Sequence, residues 1–99
     1  MKKIFISQPM NGKADEIIKE ERQNAINTII KEYGENIEII DSFFEAAPYN
    51  ANPLWFLGKS LELLSTADAV FFTEGWQNAR GCKLEHEAAK FYEIEIICD

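Results

Sequence analysis

The sequence predicts a single α/β domain, a parallel sheet of about four strands with helices on both faces. Three observations carry that expectation. Short apolar runs, "KIFIS", "NIEII", "ADAVFF" and "IEIIC", recur along the chain and are bounded by turn-forming residues. Longer stretches with apolar residues at helical spacing separate them. In "ADAVFF" the last four residues show no polar alternation, the pattern of a strand covered on both sides. Strand and helix alternate throughout, which implies right-handed crossovers between parallel strands.

The elements follow in order. "KIFIS" is a buried strand that ends at the turn-like "QPMNG". From Lys13 to Tyr33, Ile18, Ala25, Ile26, Ile29, Ile30 and Tyr33 recur at helical spacing, and Gly34 supplies a stop. Glu16, Lys19, Glu20 and Lys31 fill much of the remaining surface of that helix as a solvated face. "NIEII" is a second strand ending at Asp41, and "DSFFEAAPYNA" has no clean period and reads as a loop. Asn52 and Pro53 open the next helix as cap and first helical residue, followed by Leu54, Leu57, Leu61 and Leu64. "ADAVFF" is the third strand, "TEGWQNAR" a loop, "GCKLEHEAAKFY" a third helix and "IEIIC" the last strand. No repeat, linker or low-complexity segment interrupts them, so residues 1–99 read as one domain.

The chain has 99 residues and is 46% hydrophobic, enough for one core. Seventeen acidic against ten basic residues give a net charge of −7. That balance argues against nucleic-acid polymers and anionic membranes, which need a positive footprint. No apolar run approaches the roughly 18 residues of a membrane span. The start "MKKIFISQPM" has too short an apolar stretch for a signal peptide. Cys82 and Cys98 lack metal-type spacing and read as reduced thiols, which suits a cytoplasmic protein.

In open α/β sheets ligands sit beyond the carboxyl ends of the strands. The loops "SQPMNG", "DSFFEAAPYN" and "TEGWQNARG" are expected to face that crevice. On a helical wheel of the last helix, Lys83, His86, Glu87 and Lys90 gather on one arc, and Gly81, Leu84, Ala88, Phe91 and Tyr92 on the other. Glu85 lies inside the apolar arc, with Gly81 and Ala89 one turn away on either side. It is either a structural carboxylate near a helix N-terminus or a nucleophile or base in a partly apolar pocket. In the second case, Gly81 and Ala89 are small so that a ligand or neighbouring backbone can approach.

Ser7 and Asn11-Gly12 form a polar turn of the kind that receives phosphate or sugar, although Pro9 and Gly12 also serve simply to make the turn. It matches neither a dinucleotide fingerprint nor a P-loop. Asp41 is a candidate acid or base, or a cap for the next turn. Arg80 pairs with Glu74 or binds a ligand phosphate. Trp55, Trp76 and Tyr49 can stack on a base or pack in the core. Cys82 and His86 are four residues apart, but no further ligands accompany them, so no metal site is expected. His86 reads as a surface residue or a hydrogen-bond partner at the ligand's edge.

Three segments, "FISQPMNG", "LLSTADAVFFTEGW" and "ARGCKLEHEAA", together resemble the nucleoside 2-deoxyribosyltransferase-like superfamily, closest to its small uncharacterised branch. The resemblance runs along nearly the whole chain and is most specific in the GW…RG…LEH cluster. It implies a flavodoxin-like or Rossmann-like fold and a site for a nucleoside or its monophosphate. It also implies cleavage of the bond between deoxyribose and base, with no added cofactor. Glu85 matches the Glu that attacks the anomeric carbon, and Gly81 the glycine four residues before it. Ser7, Pro9, Met10, Asn11, Gly12, Ser60, Gly75, Trp76, Arg80 and Gly81 then become candidate substrate-binding residues. Asp41 becomes a second catalytic candidate, as proton donor. A homodimer or larger homo-oligomer is implied as well, because relatives commonly complete their sites across subunits.

Two positions depart from the pattern. Ser60 stands where relatives carry the Asp that helps protonate the leaving base, and Ser is a far poorer acid. Ala79 stands where nucleotide-hydrolysing relatives carry a phosphate-holding Ser. The alternatives to an enzyme are therefore a non-catalytic nucleotide-binding module and an oligomeric regulatory protein.

Overall fold

The computed structural model describes residues 1–42 and 52–98. Its elements are β1 (Lys2–Ser7), α1 (Asp15–Tyr33), β2 (Ile37–Ile39), α2 (Pro53–Leu64), β3 (Ala69–Phe72), α3 (Arg80–Phe91) and β4 (Glu95–Cys98). A short 3-10 turn, Trp76–Asn78, precedes α3. Among the described residues the four strands form one parallel sheet in the order β2-β1-β3-β4. This is the α/β fold the sequence predicts, in a Rossmann-like arrangement. The loop expected from "DSFFEAAPYNA", beyond Asp41 and Ser42, lies outside the described residues, and Tyr49 with it.

Alternation along the strands sends side chains to two separate cores. Ile4, Ile6, Ala69 and Phe71 point to one face and pack with Ala25 and Ile29 of α1. Phe5, Val70 and Phe72 point to the other and pack with Leu64 of α2 and Ala89 of α3. Helices therefore cover both faces, and β3 is buried at every position, as its unbroken apolar run requires.

Local chemistry sets the boundaries. α1 begins at Asp15, two residues later than Lys13, and stops where Gly34 takes a positive φ of 79° with its N–H on the Ile30 carbonyl. Asn52 caps α2 by accepting the Trp55 N–H at 3.0 Å, with Pro53 at the first turn. Asp68 sets the start of β3 against β1. Its N–H donates to the Lys3 carbonyl at 2.8 Å, and its carboxylate accepts the Lys3 N–H at 2.8 Å. No helix among the described residues is long and apolar enough to cross a membrane.

Candidate active site

The chain leaves β1 towards β2 and leaves β3 towards β4, in opposite directions across the sheet. The crevice between the carboxyl ends of β1 and β3 is therefore the topological switch point, where ligands bind in this architecture. Ser7 ends β1, and its carbonyl accepts the Thr73 N–H at 3.1 Å, so the two strands part just there. Two turns shape the mouth. Met10 to Lys13 closes through the Lys13 N–H on the Met10 carbonyl, with Gly12 at φ 79°. Thr73 to Trp76 closes likewise, with Gly75 at φ 88° and ψ 4°, the third position of a type II turn.

Glu85 is buried, at 6% exposure, and its carboxylate reaches this crevice. The Ser7 hydroxyl, buried itself, donates to Glu85 Oε1 at 2.7 Å. Ser60 of α2 places a second hydroxyl near the carboxylate, where it too favours the ionised form. Burial pushes the Glu85 pKa from its ordinary 4.5 up to about 7, and the two hydroxyls pull the other way without cancelling it. The result is a carboxyl that changes charge near neutrality, suited to act as nucleophile or base when ionised and as acid when protonated.

Cys82, one turn before Glu85, faces the same interior. Burial raises its thiol to about 11; the Ser7 hydroxyl and the Lys13 charge oppose the rise, and the Glu85 charge adds to it. A thiol at that value stays protonated and is no competing nucleophile. Lys13 is itself held by Glu21 through a 2.9 Å ion pair at the edge of the site.

The wheel placed Glu85 on the apolar side of α3 correctly but set the centre of that side wrongly. Leu84 is 50% exposed and Phe91 71%, while Cys82, Glu85 and Ala89 form the buried line. Glu85 thus occupies the middle of the inward face. Leu84, Phe91 and Tyr92 misled the wheel because side-chain hydrophobicity was weighed without knowing which sheet residues lie opposite. Ala89 is fully buried in the cluster that holds Phe5 and Phe72 of the sheet. At Gly81 an added Cβ would meet no atom of another element within 4 Å among the described residues, so no described neighbouring backbone accounts for that glycine.

The other expected residues fall into two sets. Pro9 and Met10 are half-buried and Asn11 and Gly12 exposed, on the turn that follows Ser7. Arg80 is exposed at the first position of α3, and among the described residues no ion pair joins it to Glu74. Trp76 is half-buried, its ring stacked on His86 at 4.3 Å and 14° and tilted against Phe72 at 5.2 Å. That packing makes His86 a support for the loop. Among the described residues no group of three or more His, Cys, Asp or Glu side chains could hold a metal ion. Asp41 is exposed just past β2, and its charge bears on Arg22.

Sequence reasoning missed two features at this edge. Arg22 of α1 donates to the Ile40 carbonyl at 2.7 Å and to Ser42 Oγ at 3.1 Å, clamping the end of β2. Gln8 is buried between Ser7 and the first loop and bonds the Ile18 carbonyl. Neither has a sequence signal, because both depend on which helix faces which strand end.

One measurement tests the electrostatics directly. Ser7→Ala removes the stronger hydroxyl donor, so the Glu85 titration midpoint should move above about 7. NMR of the labelled side-chain carboxyl reads this; an unchanged midpoint would show that Ser7 does not stabilise the ionised form.

No curated protein and no solved structure matches this chain. The family model described as "Domain of unknown function (DUF4406)" matches residues 2–98, and the chain belongs to that family.

Proposed function

We propose that the protein cleaves or transfers across the N-glycosidic bond of a nucleoside or nucleoside monophosphate, with Glu85 as the nucleophile. The observation that carries this reading is the buried Glu85 carboxylate held by Ser7 at the switch-point crevice. The resemblance to the deoxyribosyltransferase-like superfamily supports it by naming the same Glu.

The chemistry runs in two steps. Ionised Glu85 attacks the anomeric carbon, an ester bond forms, and the bond to the base breaks with its electron pair leaving on the base nitrogen. That nitrogen takes a proton, from water or from Asp41. Water or a second base then attacks the anomeric carbon, the ester bond breaks, Glu85 regains its carboxylate, and the proton lost by the attacking O–H or N–H passes to solvent or back to Asp41. Ser7 holds the carboxylate in line during both steps, with the Ser60 hydroxyl beside it favouring its charge. No cofactor is needed. Pro9, Met10, Asn11 and Gly12, with Gly75, Trp76, Arg80 and Gly81, line the proposed approach for sugar, base and phosphate. The acidic surface suits a small ligand rather than a nucleic-acid polymer.

The test is release of free base from a panel of nucleosides and their 5′-monophosphates, in ribo and deoxy forms, with and without an acceptor base. Release by the wild-type protein establishes the reaction, and no release from any compound removes it. A second reading, a nucleotide-binding module without catalysis, is favoured by one observation: a hydroxyl, Ser60, stands beside Glu85 where an acid for the leaving base would be needed. Saturable binding of the same panel without product would decide for it.

The protein is proposed to work as a homodimer or larger homo-oligomer. Leu54 of α2, Leu84 and Phe91 of α3 and the following Tyr92 are each at least half exposed, at 74%, 50%, 71% and 81%, apolar side chains that a second copy would cover. Sedimentation should give a mass above that of one chain, and a monomer at all concentrations would end the proposal.

A further inference from the structure

Gln8 is 6% exposed and carries an unmet acceptor. Its Nε2 donates to the Ile18 carbonyl at 3.1 Å, while its Oε1 is buried and has no hydrogen-bond partner among the described residues. The orientation of the amide is fixed, because only the nitrogen can donate to a carbonyl. Oε1 therefore turns away from that carbonyl. Buried acceptors are satisfied in the great majority of cases, and an exception asks for an explanation.

Position supplies one. Gln8 is the first residue past β1, next in the chain to Ser7, with consecutive Cα atoms about 3.8 Å apart. Ser7 reaches to Glu85 of α3 on one side of the sheet, and Gln8 reaches to α1 on the other. The two side chains leave the end of β1, at the switch point, towards opposite faces of the sheet. The Ile18 carbonyl does not depend on the Gln8 amide: it lies within a regular helix, where the N–H four residues on is its ordinary partner.

We propose that Gln8 is a specificity-determining residue whose Oε1 accepts a hydrogen bond from a furanose hydroxyl of the bound ligand. The inference rests on the nucleoside reading, which places the anomeric carbon at Glu85. A sugar ring held there would lie over the end of β1, where Gln8 follows Ser7 in the chain. A bound hydroxyl supplies the donor that the folded chain withholds. The idle acceptor is then a cost carried by the free protein and offset on binding.

The experiment compares Gln8→Met with its parent, both carrying Glu85→Gln so that no turnover intervenes. The probes are the ribo, 2′-deoxy and 2′,3′-dideoxy forms of the nucleoside 5′-monophosphates of the four common bases, measured by calorimetric titration. The parent should lose roughly tenfold or more in affinity when one particular hydroxyl is removed. Gln8→Met should bind all three forms of a given base within about twofold of one another, at an unchanged or higher melting temperature. Gln8→Leu should repeat that result.

Equal hydroxyl preference with and without Gln8 overturns the proposal, as does no preference in either protein. Failure of both variants to fold would make Gln8 structural and overturns it too. A Gln8-dependent preference in a protein that releases no base would keep Gln8 and remove the glycosidase reading. Base release with a preference that ignores Gln8 would do the reverse, and no binding to any probe removes both.

Discussion

Glu85→Gln should abolish base release, by roughly a thousandfold or more, while leaving the fold intact. The two halves of that expectation have separate physical origins. An amide cannot form the glycosyl ester that a carboxylate forms, so loss of the nucleophile removes the two-step path altogether. The same amide is nearly isosteric with the carboxyl group. Its oxygen can accept from Ser7 where Oε1 accepts now, at 2.7 Å, and its nitrogen can donate to the Ser60 oxygen. Above neutral pH the variant also escapes the penalty of a desolvated negative charge. Its melting temperature at pH 8 should therefore rise, by roughly 5 °C or more for a domain of this size. Chromatographic base release and a thermal melt on the same preparations read both halves. Retained turnover would end the nucleophile assignment. A steep fall in melting temperature would instead make Glu85 a structural carboxyl whose charge the fold needs.

Much of the architecture was legible because it rests on local signals. Asn52-Pro53 starts α2 through chemistry confined to four residues, and Gly34 ends α1 through its own φ. The apolar run Ala69–Phe72 is a buried parallel strand because no polar position interrupts it. Glu85 could be singled out because a charge among apolar helix positions is a local conflict, and such conflicts gather at functional sites. What could not be read is what those residues touch. Ser7 and Glu85 are 78 positions apart, and only the placement of β1 beside β3, under α3, brings them together. Ser60 was singled out as a weakened substrate-side position, yet its hydroxyl serves Glu85. The faces of α3 were misjudged for the same reason, since Leu84 and Phe91 are apolar but look away from the sheet. Arg22 and Gln8 carry no motif, and their roles follow from α1 lying across the ends of β1 and β2.

Stability and activity should move in opposite directions with pH, both through Glu85. The folded chain holds this proton up to about pH 7, whereas an unfolded chain gives it up near 4.5. Between those values the folded state binds more protons, so stability falls as pH rises. The contribution is fully present below pH 4.5, is lost as pH climbs through about 7, and is flat above that. Its size is about 3 kcal/mol, from the difference between the two pKa values. The nucleophile, by contrast, exists only in the ionised fraction, so kcat/KM should rise to a plateau through the same pH range. Chemical denaturation of wild type and Glu85→Gln at half-unit steps from pH 4 to 9 isolates the effect. Every other titrating group is common to the two proteins, and the variant has no proton to lose at this position. The wild type should be as stable as the variant or more so at the acid end, and less stable by the alkaline end. A constant difference across the range would mean that Glu85 ionises at the same pH folded and unfolded. It would then be neither desolvated nor poised, and burial at the switch point would have no part in activating it.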